Sequence, residues 1–156
     1  MVNSALFSSR SDDWATPADF FAVLNAEFHF DLDVCASEKN HKTPDYFDEK
    51  TDGLSQNWGG RRVFCNPPYS QIEKWIQKAW KESYKPQTLI VLLIPARTDT
   101  KYFHDYILHR SEIRFVKGRL KFGNSEHAAP FPSMVVVYRS GGLRDSGGQQ
   151  SVFEYL

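Results

Sequence analysis

An α/β domain built on a mostly parallel sheet is the fold class this sequence predicts, and three observations carry it. Thr88 to Ile94 is a short, continuously apolar run, the pattern of a central parallel strand buried on both faces. Strand-like runs alternate along the chain with amphipathic helical stretches, the order that strand–helix–strand units produce. At 156 residues the chain has the size of one domain with a single well-buried core.

The elements follow in order. Residues 1–11 are small and polar and are expected to stay flexible until something docks on them. Thr16-Pro17 reads as a helix start, with Thr16 as N-cap, Pro17 at the first helical position and Asp19 in the first turn. Phe20, Phe21, Val23, Leu24 and Phe28 then supply one apolar face of a helix ending near Glu27. From Phe28 the period becomes two. Phe28, Phe30, Leu32 and Val34 alternate with His29, Asp31 and Asp33, which predicts a strand with Asp33 at its end. Residues 36–61 are polar and loop-like, and connections of that length are functional or disordered.

Arg62 to Cys65 is a short strand. Ser70 and Glu73 are spaced as a capping box for a helix that carries Ile72, Trp75, Ile76, Ala79 and Trp80 on one face and stops before Pro86. The buried strand ends at Pro95. Asp99 is placed to cap a further helix bearing Tyr102, Phe103, Tyr106 and Ile107. Glu112 to Val116, Arg119 to Phe122 and Met134 to Tyr138 read as strands turning antiparallel toward the C-terminus. Residues 140–156 open on a Gly/Ser-rich run and are expected to form a flexible tail.

Composition bounds the function classes. Lys+Arg and Asp+Glu each number 19, so no global basic field exists and any nucleic-acid partner must be met by a local patch. Cys35 and Cys65 are too few for a disulfide framework, and neither stands in metal-ligand spacing with a histidine. The lack of a signal-like or long apolar segment predicts a cytoplasmic protein with no membrane partner.

Ligands of open α/β sheets bind at the carboxyl ends of the strands, and Asp33, Asn66 and Arg97 are all predicted to stand there. Within Phe64-Cys65-Asn66-Pro67-Pro68-Tyr69-Ser70 the two prolines hold Asn66 on a stiff extended arm. The Asn66 side-chain oxygen and the Pro67 carbonyl can then accept both hydrogens of one amino group, with Tyr69 as a face for a planar ring. A Pro-rich loop that merely turns a corner is the competing reading. Asp33 suits a hydroxyl-bearing, nucleotide-like cofactor or, equally, a loop-capping role. No G-x-G-x-x-G follows it, which favours a cofactor without phosphate. Cys65 has no neighbouring histidine to activate it as a nucleophile. Arg97 and Lys101 sit at a strand end and helix start, and Arg114, Lys117, Arg119 and Lys121 form a second basic cluster. Together they suit a phosphate-tracking stripe or a solvated hairpin face.

Trp14-Ala15-Thr16-Pro17, Asp31 to Ala36, Asp52-Gly53-Leu54, Trp58, Cys65 to Tyr69 and Gly118 to Phe122 together resemble the phage and prophage family of DNA N6-adenine methyltransferases, over roughly residues 12 to 138. The resemblance implies a single Rossmann-like methyltransferase domain over residues 12–139, S-adenosylmethionine as donor, and Asn66, Pro67, Pro68 and Tyr69 as the catalytic motif. It also places Asp33 and Ala36 in the donor pocket, Trp14, Thr16 and Pro17 on its other wall, and Asp52 against the adenosine part. Double-stranded DNA is the implied partner, its backbone met by Arg97, Lys101, Arg119 and Lys121, in the cytoplasm of a bacterial host. A glycine-rich loop that many methyltransferases carry after the first strand is replaced here by Ala36 to Asn40. The Asn-Pro-Pro-Tyr tetrapeptide is shared with methyltransferases of RNA bases and protein glutamine, which remain alternatives beside a non-catalytic DNA-binding module.

Overall fold

The computed structural model describes residues 15–123, 126–140 and 150–153, so Trp14 and the N-terminal segment 1–11 lie outside it. One sheet runs through the molecule. Its strands are β1 (Leu32–Asp33), β2 (Arg62–Cys65), β3 (Leu89–Pro95), β4 (Glu112–Val116), β5 (Ser133–Arg139) and β6 (Gln150–Phe153), in the spatial order β1-β2-β3-β5-β4-β6. β1–β2, β2–β3 and β4–β6 pair in parallel, while β5 runs antiparallel between β3 and β4. The sheet is therefore mixed, and the expectation of a mostly parallel sheet holds only in part. Crossovers return β2 and β3 to the direction of β1, whereas the chain after β4 folds straight back into β5.

β3 explains the layering. All seven of its residues are buried. Leu89, Val91 and Leu93 face a core shared with Phe20, Phe21 and Leu24 of helix α1 (Ala18–Phe28), and Ile90, Leu92 and Ile94 face a second core containing Trp75, Ile76 and Ala79 of helix α2 (Ile72–Glu82). A strand covered on both faces has no polar positions to alternate. Burial of each large apolar side chain contributes roughly 1.5–3 kcal/mol, which makes the two helices clamps on the sheet.

The structure departs from the local readings where chain ends of elements meet tertiary contacts. The period-two run beginning at Phe28 yields only a two-residue strand, because Phe28 completes α1 and His29 takes a left-handed C-cap at φ 52°. Thr16, Ser70 with Glu73, and Asp99 make no side-chain caps. Pro17 and Gln71 occupy the N-cap positions of α1 and α2, and the segment after Lys101 and Tyr102 is a π-turn over Phe103–Ile107. Arg119 to Phe122 joins no ladder; Leu120 and Phe122 instead bury their side chains against the α1 face. Residues 141–149 lie outside the described residues, but Gln150–Phe153, expected in the tail, pairs with Ile113 to Val116. No helix among the described residues is long and apolar enough to cross a membrane.

Candidate active site

Parallel register sets the site. Asp33 lies opposite Phe64 and Cys65 opposite Leu92, so the carboxyl ends of β1, β2 and β3 put Asp33, Asn66 and Arg97 at one end of the sheet. α1 starts at the same end, because its axis runs back along the strands toward Phe28. This brings Thr16 to Asn66, whose amide Nδ2 donates to the buried Thr16 hydroxyl at 3.0 Å. The Pro67 carbonyl accepts no hydrogen bond from the described residues. Pro68 is extended at φ −65° and ψ 135°, and Tyr69 to Gln71 form a single 3₁₀ turn leading into α2.

Tyr69 is half-buried, and burial pushes its phenol above the usual tyrosine range while nearby Arg97 works against that shift. Phe131 meets the Tyr69 ring edge-on, with centroids 5.1 Å apart and planes at 90°, and itself lies 6.0 Å from Phe122. The sequence reading missed Phe131. Its one local signal is the flanking Pro130 and Pro132, which stiffen the approach to β5.

Asp33 makes the contacts expected of a loop cap. Its Oδ1 accepts the Cys35 backbone N–H at 3.3 Å and its Oδ2 accepts that of Lys42 at 2.9 Å, so the carboxylate caps the loop that leaves β1. Burial pushes its pKa up to about 6, against the lowering effect of those two bonds. The same loop covers the sheet edge, where Tyr46 bridges to Asp33 and the Ala36 N–H donates to the Phe47 carbonyl at 2.9 Å. Farther along, Gly53 packs directly on the Val34 carbonyl, and Asp52 before it is held left-handed at φ 53°. Such a backbone is uncommon outside glycine and marks a segment held by its surroundings. Asp52 is exposed, and its carboxylate has no partner among the described residues.

Cys65 is fully buried, and burial holds its thiol well above the usual range; Cys35 is pushed up to about 12. Neither thiol is set up as a nucleophile. No group of acidic, histidine or cysteine side chains among the described residues could hold a metal ion.

The basic residues divide. Arg97, Arg119 and Lys121 are exposed, with Arg119 donating to the Ala129 carbonyl at 3.4 Å. Lys101 is exposed and ion-paired to Asp105 one turn on. β4 points the same way as β3, so Arg119 and Lys121, just past its end, lie at the Asn66 end of the sheet. Arg114 leaves the cluster. Its guanidinium is held bidentately by Glu27 at 2.6 and 2.7 Å and by Glu112 at 2.6 Å. Concavities of about 440 and 350 Å³ open elsewhere, one at the amino ends of β2 and β3 beside Arg62 and Gln87, the other along Pro44 to Phe47. Neither includes Asn66 or Tyr69, so the site stands on its polar and ring geometry.

A family model described as DNA N-6-adenine-methyltransferase (Dam) matches residues 3–140. The chain belongs to that family. As a Dam-family protein it is an adenine-methylating transferase that acts on DNA, and it needs a methyl donor. The DNA N-6-adenine-methyltransferase of Haemophilus phage HP1 is 32% identical over 129 residues, 81% of this chain and 75% of that protein. That of Escherichia phage T1 is 32% identical over 111 residues, 70% of this chain and 46% of the phage protein, so the chain spans about half the length of that relative. The solved structure of a candidate methyltransferase from Thermoplasma acidophilum superposes with a TM-score of 0.34 at 10% identity, over 80% of this chain and 60% of that one. So loose a likeness carries no argument.

Proposed function

We propose that the chain transfers a methyl group from S-adenosylmethionine to the N6 amine of an adenine flipped out of double-stranded DNA, in the cytoplasm of a bacterial host. The observation that carries this reading is the Asn66 amide, tied by its nitrogen to Thr16 at the carboxyl end of the sheet beside the Tyr69 ring. S-adenosylmethionine, when bound, supplies an electrophilic sulfonium methyl group, so the protein has to contribute position and electrostatics.

Asn66 Oδ1 and the Pro67 carbonyl accept the two hydrogens of N6. The adenine amine is a weak nucleophile because its lone pair is delocalised into the ring, and two acceptors favour the more pyramidal, more reactive nitrogen. Pro67 and Pro68 keep that pair of acceptors from rotating away. Tyr69 stacks on the base, and Phe131, standing at right angles to it, limits how the ring slides. Removing the base from the duplex costs roughly a few kcal/mol. Backbone contacts from Arg97, Lys101, Arg119 and Lys121 offset that cost.

For the donor, the residues present fit in one respect and are constrained in another. Asp52 offers an unpartnered carboxylate on a segment locked against the tip of β1, a fitting acceptor for ribose hydroxyls. Asp33 is already engaged with the Cys35 and Lys42 N–H groups, so its part is to shape the loop carrying Ala36. Pro17 and Thr16 close the opposite wall, with Trp14 preceding them in the chain. Purified protein incubated with labelled donor and adenine-containing DNA tests the proposal. Label in N6-methyladenine is the expected result, and donor binding without transfer to DNA would overturn it.

A further inference from the structure

We propose that the connection between β4 and β5, residues 117–132, reads the DNA sequence around the target adenine, with the Glu126 carboxylate set against the edge of a neighbouring base. The proposal rests on the reading of Asn66 and Tyr69 as the residues that hold a flipped adenine. Those two can recognise the flipped base, but they do not distinguish one adenine of a duplex from the next. That choice requires side chains at the edges of the base pairs left in the stack.

The connection is pinned to the base-holding residues from both of its described arms, 117–123 and 126–132. The Ala129 N–H donates to the Leu120 carbonyl at 2.8 Å and ties the arms to each other. Leu120, Phe122 and Ala129 are buried against the α1 face. The Gly123 N–H donates to the Ala15 carbonyl at 2.8 Å, one residue before the Thr16 that meets Asn66. Gly118 and Gly123 take left-handed backbone at φ 76° and 61°, where a side chain would be strained. From the second arm Phe131 reaches the Tyr69 ring. The outer side of the connection therefore keeps a fixed place relative to the flipped base, as an element that reads register along a duplex must.

The outer side also carries two kinds of group. Exposure alternates along the first arm, so that Leu120 and Phe122 point into the core while Arg119 and Lys121 point away from it. These two cations suit the flanking phosphates. On the second arm Glu126 is exposed, and its carboxylate has no partner among the described residues. A surface that only gripped the DNA backbone would gain nothing from that charge, which repels the phosphates its neighbours attract. As an acceptor it has a use, because a carboxylate in the major groove takes the N4 amino group of cytosine. Arg119 and Lys121 thus position the duplex, and Glu126 reads it.

The test uses the full chain and a set of duplexes that differ only in the base pairs neighbouring one target adenine, with kcat/KM measured on each. Wild type is expected to favour cytosine at one of those positions by about tenfold or more. Glu126→Ala should remove that preference, and Glu126→Gln should move it toward adenine, whose N6 and N7 suit an amide. Arg119→Ala and Lys121→Ala should slow all duplexes alike. Asp99→Ala, which removes the exposed carboxylate of the connection after β3, should keep the wild-type preference. Melting curves confirm that each variant is folded. A cytosine preference that survives in Glu126→Ala overturns the proposal, as does one lost in Asp99→Ala, or a Glu126→Ala variant slowed equally on every duplex. An active wild type with no preference for cytosine overturns this role alone, whereas a wild-type chain that methylates no DNA adenine overturns the underlying reading with it.

Discussion

Gly53 packs so tightly on Val34 that a Cβ at position 53 would lie 2.1 Å from the Val34 carbonyl oxygen. No side chain fits there without moving backbone, and the backbone concerned is the tip of β1. Gly53→Ala is expected to destabilise the protein by about 1–3 kcal/mol. It should also weaken donor binding, since Asp52 moves with its neighbour. Urea unfolding and calorimetry check both, and a variant of wild-type stability would mean that the loop yields freely.

Asn66→Ala and Tyr69→Ala should each abolish detectable transfer while leaving the melting temperature nearly unchanged, because both side chains are half-buried at a loop and carry little of either core. Near-normal turnover in either variant would make the motif a structural corner.

The pH dependence of stability should carry the mark of Asp33. Its pKa is raised from 3.8 to about 6 by burial, so the folded state binds its proton more tightly than the unfolded state does. The stabilisation this provides is complete below pH 3.8 and is lost as pH rises through about 6. Integrated over that window it amounts to roughly 3 kcal/mol at most. Asp33→Asn does not titrate, so the wild type should lose stability relative to the variant between pH 4 and pH 7. Denaturant midpoints for both proteins across that range measure the gap, and a constant gap would remove Asp33 as its source.

Arg114 should behave as a structural cation. Its side chain is 13% exposed and joins β4 to α1 through Glu27, and Glu27 is held below the usual carboxylate range chiefly by its hydrogen bonds from Arg114. Arg114→Ala is expected to cost about 1–2 kcal/mol, since half-exposed Glu27 loses its bidentate partner while Glu112 keeps its ion pair with Arg139. DNA affinity per folded molecule should not change. A selective loss of DNA binding at full stability would return Arg114 to the interface.

Arg119 and Lys121 should behave in the opposite way. Arg119→Ala and Lys121→Ala are expected to weaken DNA binding evenly across sequences and to lower the slope of log affinity against log salt by about 1 each. Melting curves should stay put, as both side chains are exposed. An unchanged salt slope would assign them to a solvated face.

Local chemistry was enough to read β3, α2 and the Asn-Pro-Pro-Tyr turn, because a continuous apolar run, a 3.6-residue apolar stripe and paired prolines each act within a few residues. The family is legible for the same reason, since its motifs are short. Where a polar side chain had several partners to choose from, sequence alone went astray. Thr16, Ser70 and Asp99 all look like caps. None caps a helix, and Thr16 instead reaches Asn66, 50 residues on. Arg114 looks like a member of a basic stripe, yet Glu27, 87 residues away, claims it. Phe131 became part of the site only when β5 was inserted antiparallel beside β3 and brought it edge-on to Tyr69. What the sequence determined by itself about the Asn66 loop was its stiffness and its set of acceptors. That Asn66 meets Thr16 was decided by tertiary structure, because only the packing of α1 along the sheet brings the Thr16 hydroxyl to the amide.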